Sequence, residues 1–462
     1  ELLANFGAGG DRLYDWLAIK DLHPAEDTGG WRSDSFWWWW RASRVINTFD
    51  ASGAGLDFTI EEFPFFSLLL GDLHPHLMSI PFVLTGLAAA YCVLVSKGRW
   101  GTGWIASNTA TAVALALIIG AAGFINAWDI AFLGALVLGA AALKTHRETR
   151  TGIIGAGVRA IPALALIVIA ALVIYSPFYF GTFKSQVAWP PIGPAEFGTR
   201  PVHFLTVWGF LLVLSGPALT GIAWPALRQH WRMALAVVWG RQLEGPRPVM
   251  QPFWLAAAAV VVPYLIWAIA HLEFNDLARP ADTVTRLVAT LPLMAATVGL
   301  FTALVVRSRQ GAPGEEQFLL LATLLAVYLL YGAELFYVHD LFGNRMNTVF
   351  KFYYQAWIIL SAAGAYGLWW WWRAHPSLRG AGQWASRAAA VLACVLLLGC
   401  LYNPIAAAVS KTGSFRASPT LDGLRYVSES APAERRAIEF LRHAARPGDR
   451  VVEAVGGSYT EF

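Results

Sequence analysis

The segment EEFPFFSLLLGDLHPH at 61–76 packs Glu61, Glu62, Asp72, His74 and His76 into sixteen positions. In an extended backbone alternate residues share a face, and Pro75 biases His74 toward that conformation. Asp72, His74 and His76 would then point the same way. One carboxylate and two imidazoles suit a divalent metal ion such as zinc or manganese, and they suit acid and base roles equally. The plainer alternative has Asp72 capping a membrane helix, Pro75 in its first turn and both histidines among lipid headgroups. The residues alone leave all three open.

A second constellation is GNRMNTVFKFYYQAW at 343–357. Asn344, Asn347, Lys351 and Tyr354 follow i, i+3, i+7, i+10, which is one polar stripe on a helix. Arg345 and Lys351 are cations where burial in lipid is costly, so each calls for an anionic partner. The partner is either a buried carboxylate (Glu334, Asp340 or Asp129) or the phosphate of a lipid-linked ligand, which the Arg fork and the Lys point charge both suit. Glu334 in LLYGAELFY and Asp129 in INAWDIAF are themselves acids at the ends of apolar helices. No P-loop, GxGxxG, HExxH or GxSxG string is present, so nucleotide, hydride and α/β-hydrolase chemistries have no support.

The elements that must carry these groups are membrane helices. Of 462 residues, 56% are hydrophobic and 14% charged, against about 25% charged in a soluble domain. Mean hydropathy is +0.50. That excludes a soluble enzyme and a nucleic-acid partner, and predicts an all-α polytopic membrane protein in contact with lipid. A span needs about 20 apolar residues. About ten segments qualify, near 77–96, 105–123, 126–143, 158–177, 202–223, 253–271, 285–306, 317–335, 350–372 and 385–405. Alternate loops hold thirteen Lys and Arg, among them Arg147, Arg150, Arg228, Arg232, Arg307 and Arg309, and the other inter-helix loops only four. By the positive-inside rule the first set is cytoplasmic. Segment 1–76, the Asn126–Asp129 hairpin, the 189–201 and 338–347 loops and the tail then lie outside. Cys92, Cys394 and Cys400 all sit in apolar runs and offer no disulfide framework.

The chain reads as three parts. Segment 1–76 is an extracytoplasmic loop, with Trp37–Trp40 followed by Arg41 and Arg44 expected as an interfacial helix. Residues 77–405 form the transmembrane domain. Residues 406–462 begin a small α/β domain, with a helix over 432–445 capped by Ser430, a turn at 446–449 and a strand over 450–454. The quartets 37–40 and 369–372 read as Trp anchors at opposite interfaces. A start at Glu1 and a stop at Phe462 in mid-domain suggest that sequence is missing at both ends.

EEFPFFSLLLGDLHPHLMSIPF at 61–82, GNRMNTVFKFYYQAW at 343–357 and EAVGGSYTEF at 453–462 resemble the "YYY" multi-pass membrane proteins, a family of unknown function (domain of unknown function 2298). These are similar to distant members of the GT-C superfamily of membrane glycosyltransferases. The resemblance implies a GT-C-like plasma-membrane protein that takes sugar from a polyprenyl-phosphate-linked donor on the extracytoplasmic side. It also implies an acidic base or metal ligand in the first outer loop, where Glu62 and Asp72 fit best. Arg345 and Lys351 would hold the leaving phosphate, with Asn344, Asn347, Tyr354, His74, His76, Glu334 and Asp129 around the substrate. A transporter and a non-catalytic assembly or scaffold protein are the alternatives. A transporter's marks would be inverted repeats and helices broken at the midplane, whereas here the polar groups gather at one end.

Overall fold

The computed structural model describes residues 14, 16–20, 22, 31–33, 37–49, 55–71, 73–183, 187–239, 250–275, 278–374, 380–416, 419–423 and 425–451. Its contacts divide the chain into two units, Glu1–Ala407 and Ala408–Phe462.

The first unit opens with a 3-10 helix, Trp38–Ser43, and an antiparallel hairpin of β1 (Asn47–Phe49) and β2 (Gly55–Phe58). A short helix α1 (Pro64–Leu70) follows, too short to span. The bundle then runs α2 (Pro75–Val95), α3 (Thr102–Ser107), α4 (Thr109–Ile125), α5 (Trp128–Thr149), α6 (Ile153–Ile174) and α7 (Ser176–Gly181). After β3 (Ile192–Pro194) come α8 (Pro201–Val238), α9 (Gln251–Phe274), α10 (Pro280–Arg309) and α11 (Gly314–Leu335). Strand β4 (Phe336–Val338) pairs antiparallel with β3 and leads into α12 (Met346–Ala374) and α13 (Ala381–Lys411).

The segments expected to span are helical over most of their length. Among the described residues eight helices are long and apolar enough to cross a membrane, namely α2, α5, α6, α8, α9, α10, α11 and α13. Helix α4 is shorter, at 17 residues. The expected 105–123 span breaks at Asn108 (φ −125°, ψ 41°), whose amide donates to the Trp104 carbonyl at 3.1 Å. Asn competes with the helix ladder for such bonds, so the run divides into α3 and α4. Helix α12 carries Asn347, Lys351 and Gln355 along its length. Helix α8 overshoots: 38 residues rise about 57 Å at 1.5 Å each. Arg228 and Arg232, expected in a loop, are therefore helical.

Helix α12 packs against α8 and α11, α11 against α10, and α2 against α4 and α5. The α8–α12 contact is close at Gly367, where a Cβ would overlap the Leu214 carbonyl. Small residues permit such approaches between membrane helices. Outward positions such as Ile161, Val173, Leu205 and Val288 are apolar and exposed. That is the surface a hydrocarbon solvent requires.

The first Trp quartet departs from expectation. Trp38 and Trp39 are only 3% and 2% exposed, and form a small core with Phe66, Ala406 and Ala407. Arg44 is buried as well, stacked on the Trp40 ring 4.7 Å away. An indole run suits a packed core as well as an interface, and here the core wins.

In the second unit, α14 (Arg425–Ser430) and α15 (Pro432–Ala444) appear where a helix was expected. Ser430 does not cap it: the N-cap is Ala431, and Ser430 Oγ donates back to the Tyr426 carbonyl at 2.6 Å. The 446–449 turn closes through Asp449 accepting from the Arg446 amide at 2.7 Å. The expected strand and the EAVGGSYTEF string lie outside the described residues from 452 onward.

Candidate functional site

Consecutive helices alternate in direction, so the starts of α2, α5, α8, α10 and α12 and the finishes of α4, α6, α9 and α11 share one end of the bundle. Both constellations lie at that end, as two adjoining clusters.

The first is built on Arg345, just before α12 and only 3% exposed. Its Nη2 meets Asp57 Oδ2 at 2.6 Å, and its Nε donates to both Asp57 oxygens at 3.3 and 3.2 Å. Its Nη1 donates to Thr199 Oγ1 at 3.2 Å and lies 3.5 Å from Glu334 Oε1. Glu334 also accepts the Thr199 amide at 2.7 Å and the Tyr353 hydroxyl at 3.3 Å. Arg286 closes the shell, donating to the Glu334 and Glu196 carbonyls and lying 4.6 Å over the Trp267 ring. Burial works against the Arg345 charge, but Asp57 and Glu334 outweigh it and hold its pKa above the ordinary arginine value. Arg345 thus has a carboxylate pair as its anion, and every guanidinium nitrogen is engaged.

The second cluster is built on Glu62 and His76. His76 Nε2 lies 3.3 Å from Glu62 Oε2, with the Ser67 hydroxyl 3.2 Å from the carboxylate and 3.3 Å from the ring. Arg44 Nη2 lies 3.7 Å from Glu62 Oε1. Burial pushes the Glu62 pKa up, but His76 and Arg44 more than offset it, so Glu62 titrates below the ordinary range. His76, 1% exposed, stands edge-on to Phe350 and Tyr354, with ring centroids 4.5 and 4.8 Å away. Its Nδ1 has no hydrogen-bond partner among the described residues, while the Tyr354 hydroxyl lies by Ser67.

Lys351 stands beside this cluster, within the fields of Glu62 and Asp129. Its ammonium sits 4.0 Å over the Phe350 ring and forms no ion pair among the described residues. Asp129, in the first turn of α5, accepts on Oδ1 from Asn126 at 2.9 Å and Gln355 at 2.6 Å. The Ser79 hydroxyl also lies by the Asp129 carboxylate, and Gln355 Oε1 is buried without a hydrogen-bond partner among the described residues.

The other expected site residues fall elsewhere. Glu61 accepts the Val45 and Ile46 amides at 2.7 and 3.2 Å and the Thr59 hydroxyl, anchoring the chain before β1. Its burial pushes its pKa up to about 7. Asn344 turns back on the Met346 amide at 2.9 Å, and Asn347 donates to Asp340 at 2.7 Å. Asp72 lies outside the described residues. The shared face expected over 72–76 stops at His74, which is extended (φ −61°, ψ 145°) as Pro75 demands. Pro75 then opens α2 and turns His76 into a helix. The two imidazole centroids are 5.3 Å apart.

For a metal at Asp72, His74 and His76, the donor set is unfavourable. His76 Nε2 is occupied by Glu62 and Ser67, and its Nδ1 is on a ring enclosed by Phe350 and Tyr354. Among the described residues no three His, Cys, Asp or Glu side chains could hold an ion.

A cavity of about 700 Å³ adjoins the Arg345 cluster, lined by Asp57, Glu196, His271, His339, Asn344 and Arg345 among others. Sequence reasoning missed Asp57, Thr199, Arg286, Ser67 and Gln355. Of these only Gln355 had a signal, one turn beyond Lys351 on the polar stripe.

A bundle of long apolar helices, lipid-facing on its outside and ionic at one end, defines an integral multi-pass α-helical membrane protein. Within that class the chain belongs to the family of uncharacterized membrane proteins DUF2298, whose profile matches residues 3–360. No curated protein and no solved structure matches it. The matched region takes in both clusters and ends inside α12.

Proposed function

We propose that the protein is a membrane glycosyltransferase of GT-C type, taking its sugar from a polyprenyl-phosphate-linked donor on the extracytoplasmic side. The observation that carries this reading is Lys351. A cation at the mouth of a membrane bundle ordinarily pairs with a carboxylate, and Arg345 does so. Lys351 does not, although Glu62 and Asp129 are near. In the same cluster and on the same helix, His76 Nδ1 and Gln355 Oε1 are buried without a hydrogen-bond partner among the described residues, and leaving such a group unsatisfied costs about 1–3 kcal/mol. A phosphate ester would supply the counter-charge for Lys351, and the hydroxyls of the attached sugar would donate to acceptors such as Gln355 Oε1.

In the reaction the acceptor hydroxyl attacks the anomeric carbon, the bond from that carbon to the phosphate oxygen breaks, and polyprenyl phosphate leaves. Lys351 stabilises the charge that builds on the phosphate. Glu62, held ionised by His76 and Arg44, takes the acceptor proton, or Asp72 does. Arg345 keeps Asp57, Glu334 and the start of α12 in place, and the 700 Å³ cavity is of the size that accommodates a sugar. The loop charge bias supports an extracytoplasmic polar end.

The test is native mass spectrometry of the purified protein with polyprenyl phosphate. Lys351→Gln should weaken binding roughly ten- to hundredfold, the loss of one charge-assisted contact of about 1.5–3 kcal/mol, while the protein stays monodisperse. Undiminished binding would refute the assignment. So would destabilisation of Lys351→Gln that a second change, Asp129→Asn, rescues.

A non-catalytic scaffold is the second reading. It is favoured by the burial of Glu62 and His76 and their mutual satisfaction with Arg44 and Ser67.

A further inference from the structure

The opposite end of the bundle holds a cavity of about 590 Å³ between the finish of α5, the later turns of α8, the start of α9 and the finish of α10. Arg147, Arg150, Arg309, His146, His230 and Ser308 line it, and no Asp or Glu does. None of the three arginines has an ion-pair partner among the described residues. Nearby Arg307, by contrast, is paired with Glu316.

Cations here have one structural use, since Arg147 and Arg309 lie in the last turns of α5 and α10 and offset those helix dipoles. That use does not reach the polar atoms deeper in. His230 is 5% exposed and Ser308 4%, yet His230 Nε2 and Ser308 Oγ, both buried, have no hydrogen-bond partner among the described residues. A serine hydroxyl and a histidine ring nitrogen without partners, three guanidinium groups without ion pairs and no carboxylate in the lining, all among the described residues, suit a compact anion with several oxygens. Pro252, in the first turn of α9, also borders the cavity, which adds the positive end of a helix dipole. Met233 and Val305 in the same lining provide an apolar wall beside the charged one.

We propose that this cavity is a phosphate-binding site, independent of the reaction at the other end. A phosphate oxygen takes the His230 and Ser308 hydrogen bonds, and Arg147, Arg150 and Arg309 neutralise its charge. Basic pockets between membrane helices on the cytoplasmic side recognise anionic lipid headgroups in this way, and a free phosphate has the same chemistry.

The experiment uses the full chain in two arms. Native mass spectrometry from nanodiscs of phosphatidylcholine with a minor fraction of phosphatidylglycerol reads retained lipid. Thermal shift in a neutral detergent with inorganic phosphate reads the free anion. The wild type should retain phosphatidylglycerol over phosphatidylcholine, and Arg147→Gln with Arg309→Gln should lose that preference by roughly a hundredfold, about tenfold per charge-assisted contact. Ser308→Ala, which removes only a hydroxyl, should lose it several-fold and guards against misfolding of the double variant. Lys97→Gln with Arg99→Gln, exposed cations at the same end, should change nothing. Stabilisation by inorganic phosphate without lipid retention, abolished by the same variants, would support the site and assign it to a free phosphate. Binding of neither probe to the wild type, or equal loss in the Lys97 and Arg99 control, would overturn the proposal.

Discussion

Arg345 is the residue whose replacement separates a structural cation from a ligand-binding one. Asp57 takes two of its nitrogens at 2.6–3.3 Å and Glu334 stands 3.5 Å from the third. A pair of unit charges at such range is worth about 4 kcal/mol at the effective dielectric of a protein surface. The desolvation cost of burying all three groups offsets much of that, so the intact cluster adds little net stability. Removing one member is different, because the others stay buried without their counter-charge. Arg345→Gln strands two carboxylates and should cost about 3–5 kcal/mol. Asp57→Asn leaves Glu334 as a counter-ion and should lie at or below the lower end of that range. Arg345→Met with Asp57→Leu should be milder than the two single changes summed, with a coupling of about 2 kcal/mol. Unfolding by SDS in mixed micelles reads these differences. An Arg345→Gln protein as stable as the wild type that loses polyprenyl phosphate would refute the reasoning, and would make Arg345 a ligand after all.

Glu61 and Glu62 should oppose each other in pH dependence. Folded Glu61 titrates at about 7 against an ordinary 4.5, so the folded state binds more protons in that window. Stability falls as pH rises through it, by about 3 kcal/mol at most, and Glu61→Gln should flatten the curve. Folded Glu62 titrates below the ordinary value, so its contribution is present above that value and is lost as pH falls through the folded pKa. Glu62→Gln should remove this acid-side loss, and a Glu62→Gln protein with the wild-type acid limb would contradict the His76 and Arg44 pairing. Gly367→Ala forces a methyl into the Leu214 carbonyl and should cost about 1–3 kcal/mol in the same SDS assay, whereas Gly382→Ala, with open space around it, should be neutral. In a background without Cys92, Cys394 and Cys400, single cysteines in the 189–201 loop and the 410–430 tail should react with an impermeant thiol reagent from outside. One in 228–247 should not, and the reverse pattern would invert the orientation and end the extracytoplasmic reading.

The helices were legible because a bilayer's thickness imposes length and hydropathy on a local stretch of chain, and local strings can be scanned. The ionic clusters were only half legible because their partners are set by packing. Glu334 and Arg345 stood out as charges in apolar surroundings, but Asp57 is 288 positions from Arg345 in a strand, GLDF, that looks like any hairpin arm. Arg44 was read as a rim cation because the Trp run before it suits headgroups as well as a core. Pro75 carried two messages: it forces His74 extended, and it starts a helix that carries His76 inward against Tyr354. Reading the first alone set His74 and His76 on one face.

Lys351 is where the two kinds of information meet. Its place on the stripe was plain from spacing, yet the same stripe placed Asn344 and Asn347 beside it as equals, and the fold separates them. Those amides are satisfied locally by the Met346 amide and Asp340, and Arg345 is satisfied by Asp57 and Glu334. Satisfaction, rather than charge or spacing, distinguishes a group that holds the fold from one with bonding capacity left for a ligand. By that criterion the polar end contributes Lys351, a cation without an ion pair among the described residues, with Gln355 Oε1 nearby on α12 still able to accept, and the basic end contributes Arg147, Arg150 and Arg309 with His230 and Ser308. Each set has a cation that an anionic oxygen would complete, although the helices that hold them are apolar along most of their length.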